Sequence, residues 1–199
     1  MTEEQKMLFG EYYNGLDPQL AEKRERAQKL CMQYNHTCDG AERAEILSAL
    51  LSRDSSPAAL QGPIWFTYGE HTRFGIGCYA NFNLTVLDHA AVTVGDKVMF
   101  GPNCTLLTAQ HPLHPDDRAV RERPDGTSCD VESAAPISIG SRCWLAAGVT
   151  VCPGVTIGEG SVIGAGSVVT SDIPAGVLAA GVPCRVIREI TSADRLPEP

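Results

Sequence analysis

Polar residues set inside an otherwise aliphatic pattern are the places where this chain could do chemistry. Glu70 and Asp88 stand eighteen residues apart, and so do His71 and His89. Carboxylates facing a core are costly unless paired or hydrogen-bonded, so the first two mark either a bend in the pattern or a polar site. Two stacked imidazoles would supply two of the three histidines of a zinc enzyme. The third is lacking unless a neighbouring subunit brings His111 round. On spacing alone His111 and His114 are loop histidines in the polar run TAQHPLHPDDRAVRERPDGTSCDVESAAP. Arg185 and Arg188, three apart near the C-terminus, would share one face of a helix. The eight cysteines form no C-x2-C pair and read as buried thiols, with Cys104 and Cys143 at small inward positions.

These residues need a scaffold, and the scaffold is a period of six. Ile139, Leu145, Val151, Ile157, Ile163 and Val169 recur without a slip, each followed four residues later by a small or branched residue. Fixed self-similarity of this kind means a solenoid, here a parallel β-helix with three short strands in each coil of eighteen residues. The same grid extends over Ile64, Glu70, Ile76, Phe82, Asp88, Val94, Phe100 and Leu106, with a companion series Tyr68, Phe74, Ala80, Val86, Val92, Val98, Cys104. On this grid Glu70 and Asp88 stack one coil apart. The period breaks over 107–136, predicting a long excursion, and loops of that length in a compact domain tend to be functional.

Residues 1–60 are charged and patterned at helical spacing, which predicts a small helical domain covering one end or side of the solenoid. Thr2 with Gln5 reads as a capping box, and Asp17-Pro18 as an N-cap followed by proline at the first helical position. Leu20, Arg24, Ala27, Cys31 and Tyr34 form one stripe, and a third helix over about 41–52 carries Ile46, Leu47, Leu50 and Leu51. The solenoid is expected over 61–182 and a tail over 183–199. The net charge of −8 argues against a nucleic-acid partner. Nothing has the form of a signal peptide or a membrane span, so a soluble cytoplasmic protein is expected.

The phrases YANFNLTVLD, TAQHPLHP, SIGSRCWLAAGVTVCPGVTIG and GAGSVVTSDIPAGVLAAGVPCRVIREI resemble the hexapeptide-repeat acetyltransferases, and among them the galactoside and maltose O-acetyltransferases. The resemblance covers nearly the whole chain. It implies a mainly β fold, a left-handed parallel β-helix with an N-terminal helical domain, assembled as a homotrimer with sites between subunits. It also implies direct transfer of acetyl from acetyl-CoA to a sugar hydroxyl, without a metal.

By the same resemblance His111 matches the catalytic base, since the acceptor hydroxyl must lose a proton as it attacks the thioester; His114 is the competing candidate. Thr67, Tyr79 and Asn81 match sugar-holding positions, and Asn81 could also stabilise the oxyanion. Asp17 resembles an N-terminal acidic ligand of the maltose branch, a role compatible with its N-cap. Asp88 matches an acidic position, but the galactoside enzymes have a second acidic residue where this chain has His89, so acceptor preference should differ. The stretch 126–135 matches poorly. For acetyl-CoA the resembling positions are Trp144 near the thioester, Ala147 and Ala165 along the pantetheine, Thr170, Ser171 where lysine is common, and Arg185 and Arg188 for phosphates. Other readings are an acetyltransferase for a xenobiotic or chitin-like oligosaccharide, a zinc enzyme of the carbonic anhydrase type, and a non-catalytic assembly module.

Overall fold

The computed structural model describes residues 1–122 and 124–197. Helix α1 (Glu3–Leu8) opens on the Thr2–Gln5 capping box, which satisfies backbone groups that a helix start leaves unpaired. Helix α2 (Pro18–His36) is capped by Asp17 and buries Leu20, Ala27, Cys31 and Tyr34 along its stripe. Asp39 caps α3 (Gly40–Leu50), which buries Ile46, Leu47 and Leu50. The inner sides of α2 and α3 join the same apolar core as the strands that follow. Asn35 of α2 brackets Ile64, donating to its carbonyl at 3.0 Å and accepting from its N–H at 2.8 Å.

From Ala59 the chain winds as a parallel β-solenoid with three faces. The first stacks Thr72–Phe74, Val92–Val94, Ile137–Ile139 and Thr156–Ile157. The second stacks Ala59–Leu60, Tyr79–Ala80, Met99–Phe100, Trp144–Leu145, Val162–Ile163 and Val177–Ala180. The third stacks Ile64–Phe66, Leu84–Leu87, Thr105–Leu107, Thr150–Val151 and Val168–Val169. Alternation within each strand sends aliphatic residues inward, and Phe74, Ala80, Val86, Leu106, Leu145 and Ile157 are all buried.

Two of the three edges keep the period. From first face to second and from second to third, equivalent inward residues are six apart, as in Phe74, Ala80, Val86 and in Ile139, Leu145, Val151. The return from third face to first is variable: Val86 to Val94 takes eight residues, Val151 to Ile157 six and Val169 to Ile173 four. Hence Ile64 pairs with Leu84 and Thr72 with Val92, twenty residues on, whereas Trp144 pairs with Val162, eighteen on.

The grid expected over 64–106 is therefore corrected. Ile76 and Phe82 are 69% and 54% exposed, and Glu70 lies partly exposed on the lengthened edge rather than facing in. Asp88 does not stack on Glu70 but over Tyr68, whose N–H it accepts at 2.8 Å. His71 and His89 are likewise out of register. A slip of two residues preserves which side chains point inward, so the companion series from Tyr68 to Cys104 stays buried throughout and conceals the change.

The excursion leaves after Leu107. Ala109–Gln110 pairs antiparallel with Val131–Ala134, whose other edge takes Tyr13–Asn14 from the N-terminal segment. A helical turn, Pro115–Arg118, and the hairpin Arg121–Glu122 with Ser128–Cys129 lie further along the excursion. At the C-terminus the helix that would align Arg185 with Arg188 is replaced by a strand, Arg185–Glu189, antiparallel to Val177–Ala180. It occupies a sheet edge that would otherwise lack partners. A register shift places Arg185 opposite Ala180 and Arg188 opposite Leu178, so both arginines still share the outward side.

Candidate active site

Most of the polar groups collect on the variable edge. Thr67 follows the third-face strand Ile64–Phe66, Asp88 and His89 follow Leu84–Leu87, and the excursion bearing His111 departs after Thr105–Leu107. Asp88 is fully buried, its Oδ1 accepting from Tyr68 N–H at 2.8 Å and its Oδ2 from the Thr72 hydroxyl at 2.9 Å. Burial pushes its carboxyl above the ordinary value, against the pull of those bonds and of His71. The acceptor contact expected of Asp88 does not fit this placement. The side chain instead clamps successive coils where the chain is two residues longer.

His89 is 8% exposed, with Nδ1 2.6 Å from the Tyr13 hydroxyl and 3.2 Å from Glu132 Oε2. Tyr13 donates to that same Oε2 at 2.6 Å, which leaves its oxygen to accept from His89. The Tyr68 ring stands edge-on to His89 at 5.2 Å between centroids, and Arg24 donates to the Tyr68 hydroxyl at 2.9 Å. Burial alone would raise the Glu132 carboxyl, but hydrogen bonds from His89 and Tyr13, with the charges of His89 and His111, hold it below the ordinary glutamate value. Burial first, and Glu132 second, push the Tyr13 phenol far above its ordinary range.

His111 is half-exposed, with Nδ1 4.0 Å from Asp130 Oδ1. One ligand-type atom from each of His111, Asp130 and Glu132 lies within 4.8 Å of the others. The strand pairing explains this gathering: Tyr13 lies opposite Glu132 and Asn14 opposite Val131, while Asn14 Oδ1 accepts from Asp130 N–H at 2.9 Å. His114 is occupied differently, capping the turn Pro115–Arg118 through Nδ1. Tyr13, Asp130 and Glu132 were not reachable from periodicity. For Asp130 and Glu132 the only sequence signal is the poor match over 126–135, and Tyr13 has none.

The remaining candidates lie elsewhere on the solenoid. Tyr79 and Trp144 are on the second face, Trp144 47% exposed between Met99 and Val162. Asn81 is at the edge leading from second face to third, its side-chain oxygen accepting from Phe82 N–H at 2.8 Å. Ala147 and Ala165 are one coil apart on that edge, both exposed, with Gly166 N–H donating to Ala147 O at 2.8 Å. Thr170 and Ser171 are exposed on the variable edge. Arg185 donates to Cys184 O at 2.8 Å, and Arg188 grips Asp194 with two bonds of 2.7 and 2.8 Å. That grip holds the Asp194 carboxyl down to about 2. Asp17 caps α2 with its Oδ1. Within one chain the candidates are thus dispersed: Thr67, His89, His111, Thr170 and Ser171 on the variable edge, Tyr79, Trp144, Asn81, Ala147 and Ala165 on the second face and the corner after it, and both arginines on the last strand.

Among the described residues, the second place where three potential metal-ligating side chains converge is Glu4, Glu70 and His71. Lys23 already bridges Glu4 and Glu70 there. The zinc reading relied on His71 and His89 standing in register, which the twenty-residue coil removes.

A three-faced solenoid with a period of six, an N-terminal helical cover and a long excursion beside a histidine defines a hexapeptide-repeat transferase. Residues 6–53 match the maltose acetyltransferase hexapeptide capping motif, and 136–171 match the six-repeat bacterial transferase hexapeptide. The chain is 39% identical to the galactoside O-acetyltransferase of Escherichia coli K12, over 98% of this chain and 92% of that one. Among solved structures it resembles a maltose O-acetyltransferase of Clostridium difficile 630, with TM-score 0.86, 38% identity and coverage of 96% and 99%. It is also similar to a galactoside acetyltransferase in complex with coenzyme A, with TM-score 0.85, 38% identity and coverage of 98% and 94%. The chain belongs to the galactoside and maltose O-acetyltransferase family of hexapeptide-repeat enzymes.

Proposed function

We propose that this protein moves acetyl from acetyl-CoA directly to a hydroxyl of a sugar or galactoside-like acceptor, in the cytoplasm, with His111 as general base. The observation that carries the proposal is the half-exposed imidazole of His111 beside two carboxylates, on the edge where the solenoid departs from its period. With Nδ1 turned toward Asp130, Nε2 is the nitrogen left for the acceptor. The acceptor oxygen bonds to the acetyl carbonyl carbon, its proton passes to His111, and the carbon–sulfur bond breaks. The proton then leaves on the thiol. Neutral imidazole suits this exchange near pH 7.

The separation of His111 from Trp144, Ala147 and Ala165 within one chain supports a homotrimer with sites between subunits. The edge with Thr67, His89 and His111 supplies the acceptor side, and a neighbour's second face and corner, with Trp144, Ala147 and Ala165, supply the acetyl-CoA side. Tyr79 and Asn81 hold sugar hydroxyls, Asp17 and Asp88 support that pocket from behind, and Thr170, Ser171, Arg185 and Arg188 receive the nucleotide end. For Arg188 a phosphate has to displace Asp194. Thiol release from acetyl-CoA over a panel of galactosides, maltose, glucose and chitin-like oligosaccharides tests the activity. Light scattering tests the assembly, and a mass near the 21.3 kDa of one chain would overturn it.

A further inference from the structure

The excursion contributes a carboxylate whose surroundings the general-base reading of His111 does not use. Glu132 reaches back from the strand Val131–Ala134 and stands between two histidines. On one side its Oε2 receives the Tyr13 hydroxyl at 2.6 Å and faces His89 Nδ1 at 3.2 Å. On the other side it shares the 4.8 Å cluster with His111 and Asp130. Its side chain is 14% exposed, against 22% for Asp130. Tyr13 is itself buried, and its backbone pairs directly with that of Glu132, so hydroxyl and carboxylate are fixed to one another by both main chain and side chain.

From this arrangement we infer that Glu132 is a positioning residue for His111: a carboxylate locked by Tyr13 and His89 that orients the imidazole and stabilises the imidazolium formed when the acceptor proton arrives. The inference rests on His111 being the base. A fixed anion within about 4–6 Å favours the charged form of a neighbouring base, so removing the charge of Glu132 should disfavour the imidazolium of His111. The groups facing this pair are Tyr13 and His89 behind Glu132 and Asp130 beside His111. Arg24 stands further back, bonded to the Tyr68 hydroxyl and the Gly15 carbonyl, and its charge acts on Tyr13. Asp130 supplies a second negative charge, but from a more exposed and less constrained side chain. The N-terminal segment therefore takes part in the reaction without touching substrate, because Tyr13 fixes the carboxylate that shares the cluster with the base.

The test is Glu132→Gln, which keeps length and hydrogen-bonding capacity and removes the charge, assayed by thiol release across pH on the whole protein. A fall in kcat of about ten- to a hundredfold is expected. The acid limb of the kcat/KM profile should move to lower pH by about one unit, because His111 loses a proton more readily once the anion is gone. Glu132→Asp should keep the limb near its original position while kcat falls less. A role in folding alone lowers the amount of active protein and leaves the limb in place; a direct contact to the acceptor raises KM and also leaves it in place. Either result overturns the inference. Should Glu132→Gln not fold, Glu132→Met, which buries no polar group, is read in the same way. His111→Ala run in parallel separates the two layers: undiminished turnover there removes the general-base reading itself, whereas an unmoved limb in Glu132→Gln removes only the role of Glu132.

Discussion

The edges of the solenoid behave in two ways. Across the two that keep six residues, Val94 leads to Phe100 and Phe100 to Leu106 with nothing to distinguish one coil from the next. Close backbone stacking enforces this uniformity: a Cβ on Gly101 would meet Ala147 N at 2.6 Å, and one on Gly140 would meet Glu159 N at 2.5 Å. Across the third edge the count changes from coil to coil, and there lie the buried Asp88, the Tyr13–His89–Glu132 network and the excursion with His111. Regular edges give stability by repetition, and the irregular edge has room for residues whose first duty is not packing.

If this division is right, removing the catalytic side chain from the irregular edge should damage chemistry, and removing a buried aliphatic one from the regular part should damage stability. The largest effect is expected for His111→Ala, which should lower acetyl transfer roughly 10²–10⁴-fold while the Kd for acetyl-CoA is unchanged. His114→Ala, altering a helical-turn cap in the same excursion, should leave kcat near wild type. The mirror experiment is Leu145→Ala, a fully buried position on the second face. Urea unfolding should show a loss of about 2–5 kcal/mol, with the turnover of the folded fraction preserved. A changed acceptor ranking in Leu145→Ala would break the comparison.

Thr72→Val probes the boundary between the two behaviours. It removes the hydroxyl that donates to Asp88 Oδ2 and leaves a buried acceptor without that bond, at a cost of about 1–3 kcal/mol. The cost should depend on pH with a definite sign. Asp88 is raised in the folded protein, so its protonated form favours folding below the ordinary carboxylate pKa, and that advantage is lost as pH rises through the folded value. The Thr72 bond offsets the loss by stabilising the ionised form. The stability gap between wild type and Thr72→Val should therefore widen on going from acid to neutral pH, and a gap that is flat or narrows contradicts this account. A smaller effect is expected for His89→Asp, which places a carboxylate beside Glu132. Relative kcat/KM among sugar acceptors should change about tenfold with acetyl-CoA affinity constant. An unchanged ranking would assign acceptor choice to the stretch 126–135.

What could be read from the sequence divides along the same line. The run from Ile139 to Val169, the Asp17 cap with its buried stripe, and Ile46, Leu47 and Leu50 of α3 were legible because periodicity and capping are local signals. The twenty-residue coils were not, since an even slip leaves the apolar pattern intact and only Ile76, Phe82 and Glu70 betray it. Arg185 and Arg188 do lie on one side, but through a bulged strand rather than a helix. The contact between Tyr13 and Glu132 spans 119 positions and is made by a strand pair outside the repeat, so no window of sequence contains it.

The variable edge also sets a rule for inserting and deleting residues. Within the stack its lengths differ by two: eight, six and four residues from third face to first. A single added residue would turn the following strand inside out, sending Val92 and Val94 to the surface and Thr93 to the core. Odd lengths are accommodated only where the chain quits the stack altogether, as between Leu106 and Ile139. A grafted segment should thus be accepted at this one edge in pairs of residues, or as a whole loop, and refused at the other two, which makes it the place where a new acceptor pocket can be built onto an unchanged coil.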